Sequence, residues 1–195
     1  LDGQGKKCSM FFTYGGFDVH PTHYSTREIL KEQNFIVVSS AEFLGAHTFN
    51  LGGWRAMGDR PNAHDFEVAK DYVELTCKRF TGEDDRILGE LEKTEHTEEL
   101  LDSIETSRFK VLTQLPTRGG EQCSMCLDCE ELCPTGAMEA ESGVADKEKC
   151  IACLACVSNC PEEVLKIKDM SNSWSHKLDM EKVTEESITE QKSKI

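Results

Sequence analysis

The sequence predicts an α/β half-domain of parallel strands and helices, followed by a small α+β module built around cysteines. Three observations predict it. Residues 1–80 alternate short apolar runs with amphipathic helical ones in the order strand, helix, strand, helix. Eight of the ten cysteines fall between Cys123 and Cys160, in two runs of the same spacing. A length of 195 residues suffices for one ordinary domain plus a small one.

The first elements follow in order. Cys8–Phe12 reads as a short buried strand that ends in the turn Tyr14–Gly15–Gly16. A helix is expected over Thr22–Gln33, with Tyr24, Ile29 and Leu30 on its packed face. Phe35–Val38 is an unbroken apolar run, which suits a strand covered on both faces as in a parallel sheet. A glycine-rich loop leads to Pro61 and Asn62, which open a helix over Ala63–Arg79. Its apolar positions Phe66, Ala69, Val73, Cys77 and Phe80 recur every three or four residues and are expected to face the core.

The rest divides into three stretches. Residues 81–113 read as a charged helical linker, with Ile87, Leu88 and Leu91, then Leu100, Leu101 and Ile104, on a narrow apolar stripe. Residues 114–168 hold the cysteine-rich domain. Residues 169–195 read as a polar tail, mobile or at most a frayed helix. The acidic runs Glu83–Asp85 and Glu95–Glu99 are expected to be solvated faces. His20 and His23 are expected in a solvated loop, and His64 beside no evident nucleophile. Cys8 and Cys77 are expected to be buried, inert thiols.

Composition narrows the function classes. A hydrophobic fraction of 38% with 30% charged residues describes a soluble globular chain. No apolar run approaches the length of a membrane span, and Leu1–Lys7 is too polar for a secretory signal. The net charge of −14 repels nucleic acid and anionic membranes. It suits transient docking on basic patches of redox partner proteins, where charge steers the encounter, and equally suits solubility alone.

The chemistry lies in two runs. The first is Cys123-x2-Cys126-x2-Cys129-x3-Cys133-Pro134. The second, twenty-seven residues on, is Cys150-x2-Cys153-x2-Cys156-x3-Cys160-Pro161. Clustering at such short spacing points to metal rather than disulfides, and so to a reducing cytoplasm. Zinc ribbons use two separated cysteine pairs per ion, which these runs do not supply. Each run has the spacing of bacterial ferredoxins, in which three thiolates from one loop meet a [4Fe–4S] cube and the fourth cysteine crosses to the other cube. That spacing implies Cys123, Cys126, Cys129 and Cys160 on one cluster, and Cys150, Cys153, Cys156 and Cys133 on the other. Ile151, Leu154, Val157, Leu127, Val164 and Ile167 are expected to cover them.

Residues 120–168 thus resemble a bacterial 2[4Fe–4S] ferredoxin, and residues 1–80 resemble the C-terminal half of a flavodoxin-like domain. Together they are similar to the flavodoxin–ferredoxin fusion proteins common in anaerobes. Gly58-Asp59-Arg60-Pro61-Asn62, with Asp65, is similar to that family's G-R-P-x-x-x-D segment, with Asp59 inserted. The resemblance implies that Thr13, Tyr14, Gly15 and Gly16 would touch FMN, with Tyr14 able to stack on its ring. The sequence contains no phosphate-binding loop of the flavodoxin kind, so FMN is expected only in a full-length parent, of which this is a fragment, or else the domain is a degenerate one that has lost flavin. The expected function is electron transfer through two [4Fe–4S] clusters, coupled to FMN in the parent. The alternative is a flavin- and Fe–S-dependent oxidoreductase that acts on a small molecule.

Overall fold

A computed structural model describes residues 1–17, 19–93 and 115–195. The chain divides into two compact units: Leu1–His47, Ala56–His96 and Val183–Ile195 form one, Thr48–Arg55 and Thr97–Lys182 the other.

In the first unit, strand β1 (Lys7–Tyr14), helix α1 (His20–Glu32) and strand β2 (Ile36–Leu44) form a βαβ unit with the strands parallel. Lys7 pairs with Ile36 and Tyr14 with Leu44, with one register shift between Cys8 and Ser9. Helix α1 begins two residues earlier than the sequence suggests, and Ile29, expected on the packed face, is exposed. Strand β2 runs well past the apolar Phe35–Val38 and is buried nearly throughout, as a strand covered on both faces must be. Its second half, Ser39–Leu44, carries polar residues that buried β structure tolerates only when they are hydrogen-bonded. Ser39 bonds Thr76 at 2.7 Å, and Ser40 bonds His23 at 2.6 Å. His23 therefore sits half-buried on α1, not in a solvated loop.

Helix α2 (Ala63–Thr81) starts at a capping box made by Asn62 and Asp65 and stops at Gly82, whose φ of 81° closes the last turn. Its orientation corrects the sequence reading. Phe66, Val73 and Phe80 are 62%, 57% and 44% exposed, Cys77 is exposed too, and Asp65, Tyr72 and Thr76 face inward instead. The reason is polar. β1 and β2 present a carbonyl and a hydroxyl to the helix, and Tyr72 Oη donates to Met10 O at 2.9 Å while Thr76 meets Ser39. Burying those groups against Phe or Val would leave them without partners.

Residues 84–93 are not helical: Leu88 N donates to Val37 O at 3.1 Å in an irregular stretch along β2. Leu100, Leu101, Ile104 and Glu95–Glu99 lie outside the described residues. Asp84, expected to be solvated, accepts from Arg86 and, more weakly, from Arg79, which hold its carboxyl well below the usual carboxylate range.

The C-terminal stretch is ordered, contrary to the expected tail. It forms α5 (Ser171–Glu181) in the second unit and α6 (Glu185–Thr189) in the first, and Lys194 makes an antiparallel bridge with Glu42. Thr184 and Ser187 cap α6 reciprocally, and Ile188 is buried. Side chains sparse in the sequence suffice because each occupies a prepared place. A Cβ on Gly16, whose φ is 91°, would stand 2.8 Å from Ile188 and 2.9 Å from Met57. Gly16→Ala is accordingly expected to cost about 1–3 kcal/mol through strain and overpacking. A lowered urea midpoint at unchanged slope would check it.

The second unit holds the short helices α3 (Asp128–Glu131) and α4 (Ala155–Ser158) and the antiparallel pair β3 (Met138–Glu139) and β4 (Val144–Ala145). Its core is Ala137, Met138, Ala145 and Leu165 with Cys150 and Cys156. Helix α5 adds Trp174, packed on Trp54 at 5.3 Å between ring centroids, while Trp54 Nε1 donates to Ser173. No helix among the described residues is long and apolar enough to cross a membrane.

Candidate metal centres

The two cysteine runs fold alike. Between the cysteines, Met125 and Leu127 in the first run, and Ala152 and Leu154 in the second, take left-handed conformations with φ between 54° and 69°. A non-glycine residue rarely adopts this φ, and such strain gathers at functional sites. Here it curls each loop so that backbone amides turn toward sulfur. Met125 N donates to Cys123 Sγ at 3.4 Å and Ala152 N to Cys150 Sγ at 3.4 Å. Leu127 and Leu154 then start α3 and α4, which carry Cys129 and Cys156. Each short helix ends just before the last cysteine of its run, and Pro134 and Pro161 turn the chain away.

The eight cysteines divide between two small cavities. Cys123, Cys126, Cys129 and Cys160 line the first. Cys133, Cys150, Cys153 and Cys156 line the second. Three members of each quartet come from one run and the fourth from the other. All eight are free thiols. Among the described residues no three His, Cys, Asp or Glu side chains are placed to hold a single metal ion.

The thiols are not equivalent. Burial pushes Cys156 up to about 12, with Cys150 and Cys153 adding to it, and burial raises Cys129 as well. Burial would also raise Cys133, but backbone amides of Thr135, Met138 and Ala137 outweigh it and bring the thiol down to about 7. Amides of Leu165, Val164, Glu162 and Glu163 lower Cys160 in the same way. The two crossing cysteines are thus the pair whose thiolates the backbone already favours, and ligation by metal requires the thiolate.

The surroundings are partly as expected. Leu154 is buried, whereas Leu127 and Ile151 are 41% and 54% exposed. Arg118, which the sequence reading overlooks, lines the first cavity, and its Nε is buried with no hydrogen-bond partner. Thiol quartets, inward amides and an orphaned buried donor fit an iron–sulfur cube, whose sulfurs accept hydrogen bonds.

Residues 115–161 match the family model of a 4Fe–4S dicluster domain. The match supports electron transfer through Fe–S clusters in this part of the chain. No curated protein and no solved structure matches the chain. The structure joins the dicluster domain to a parallel α/β unit, and the flavodoxin likeness rests on the sequence resemblance alone.

The remaining candidates lie in the first unit. Thr13 and Tyr14 end β1, with Gly15 and Gly16 directly after. A Cβ on Gly15 would stand 2.6 Å from the His47 side chain. Both glycines are thus places of close packing. Cys8 is half-buried, with its thiol raised by burial, whereas Cys77 is exposed rather than buried.

Proposed function

We propose that this chain is an electron carrier that holds two [4Fe–4S] clusters by crossed ligation. Cys123, Cys126, Cys129 and Cys160 hold one, and Cys150, Cys153, Cys156 and Cys133 the other. The observation that carries the reading is the division of the cysteines into two cavities, each with one cysteine contributed by the opposite run. When bound, such a cluster takes up and releases one electron at a time.

The chain's own residues do the rest. The left-handed turns aim amides at sulfur, and Leu154, Val164 and Leu165 limit water at the cavities. The charge of −14 favours encounter with redox partner proteins through their basic patches. Coupling to FMN at Thr13–Gly16 belongs to the same reading for a full-length parent. Its support is position: these residues span the carboxyl end of a parallel strand, where open α/β sheets bind ligands.

The test is iron, sulfide, zinc and flavin content after anaerobic purification and reconstitution. About eight iron and eight sulfide per chain are expected. Zinc without sulfide would overturn the carrier. Flavin retained in stoichiometric amount by this chain would place its site here rather than in a longer parent. Turnover of a small molecule with no partner protein would favour the oxidoreductase instead.

A further inference from the structure

We propose that Arg118 sets the two cluster sites apart, raising the reduction potential at the first quartet above that at the second, so that the electron rests nearer Cys123, Cys126, Cys129 and Cys160. The inference rests on the two-cluster reading and concerns how the chain distinguishes two sites built on one repeat.

The repeat supplies its own control. Twenty-seven residues separate equivalent positions, so Leu127 stands for Leu154, Leu165 for Met138 and Val164 for Ala137, each pair lining opposite cavities. The same offset pairs Arg118, on the first cavity, with Ala145, on the second. A guanidinium thus stands at one site where the other has a methyl group.

Arg118 is also held in place. Its Nη1 donates to Ala140 O at 3.0 Å and its Nη2 to Glu141 O at 2.7 Å. Its backbone N donates to Gly143 O at 2.9 Å. Gly143 makes the room: a Cβ there would lie 2.7 Å from Arg118 Cβ and Nε. The two terminal nitrogens are committed to carbonyls, and Nε, buried and unpartnered among the described residues, remains for an acceptor in the cavity. A buried donor left without an acceptor is costly, and cluster sulfur is an acceptor of the right kind.

The sign follows from charge. Reduction adds one electron, and a fixed positive charge or an N–H bond to sulfur favours the more negative form. Glu162 also lines the first cavity and opposes this, since Thr135 takes its place at the second. Its carboxylate, however, is exposed and accepts from Ser124 N at 2.9 Å. Water and salt screen it more than they screen a guanidinium whose Nε is buried.

The test is protein-film voltammetry on the reconstituted chain, with iron and sulfide measured on the same samples. Arg118→Gln is expected to lower one of the two potentials and leave the other unmoved. Glu162→Gln is expected to raise that same one, which assigns it to the first quartet. Arg118→Lys, which keeps the charge and loses the fork, should fall between the native protein and Arg118→Gln. Should Arg118→Gln lose iron, the Lys and Glu162 variants decide by the same ordering. Two filled clusters with unmoved potentials, or with both moved equally, would overturn the role of Arg118 alone. A chain that binds no iron and sulfide would overturn it together with the carrier reading.

Discussion

Replacing Cys133 by Ala is expected to remove the cluster held by the second run, not the one held by its own. Iron should fall from about eight to about four per chain, since a cube that loses one of four thiolates is left with an open, labile corner. Total iron cannot tell which cluster is gone, but pairs of substitutions can. Cys133→Ala combined with Cys153→Ala strikes the second cavity twice, so it should still leave about four iron. Cys133→Ala combined with Cys126→Ala strikes both cavities and should leave close to none. Uncrossed ligation reverses the two results. Non-additivity of this kind is the signature of residues that act on one unit. The same logic applies to Cys160, which lines the first cavity with Cys123, Cys126 and Cys129.

The cysteine pattern was legible because ligand spacing is a local property that folding does not rearrange. Three thiols within seven residues can meet only at one place, and the repeat tells which cysteine is left to cross. Arg118 was legible in principle too: extending the repeat upstream of the cysteines sets it against Ala145. In the first unit the limits are different. The period of α2 marks a helix correctly, yet does not say which face turns inward. Phe66, Val73 and Phe80 carry the hydrophobic signal, while the face that meets the sheet is chosen by Tyr72, Thr76 and Asp65 through hydrogen bonds. Strand β2 looks short in the sequence for the same reason, because Ser39, Ser40 and Glu42 resemble a loop until His23, Thr76 and Lys194 are known to meet them. The C-terminal stretch carries few apolar residues. What docks it, Ser193 on Asp65 and Lys194 on Glu42, joins positions more than a hundred residues apart, which no local pattern reports.

That docking converges on Asp65, and Asp65→Ala is expected to have the largest effect on the first unit. Asp65 closes the capping box of α2 through Asn62 N at 2.8 Å, and its Oδ1 accepts from Arg60 Nη1 at 2.7 Å and from Ser193 Oγ at 2.7 Å. Ser193 Oγ in turn accepts from Leu44 N, and Arg60 Nη2 holds Gln191 O. With Arg60 and Asp65 side chains only 7% and 2% exposed, removal of the carboxylate strands a buried guanidinium. Breaking such a pair from one side costs about 3–5 kcal/mol. Burial alone would raise the Asp65 carboxyl, but bonds from Asn62, Ser193 and Arg60 outweigh it and hold it below its ordinary 3.8. A lowered folded value means that the stabilisation is complete above the ordinary value and is lost as pH falls through the folded one. Acidification below about pH 4 should therefore loosen the C-terminal segment, whereas Asp65→Asn, already weakened, should show a flatter response. Hydrogen exchange at the Glu42 and Lys194 amides, which bond each other's carbonyls at 2.9 Å, reads this locally and independently of the cysteine domain. Equal protection in the native chain and Asp65→Ala would mean that the segment is held by Ile188 packing alone, and that the charged network contributes nothing to its docking.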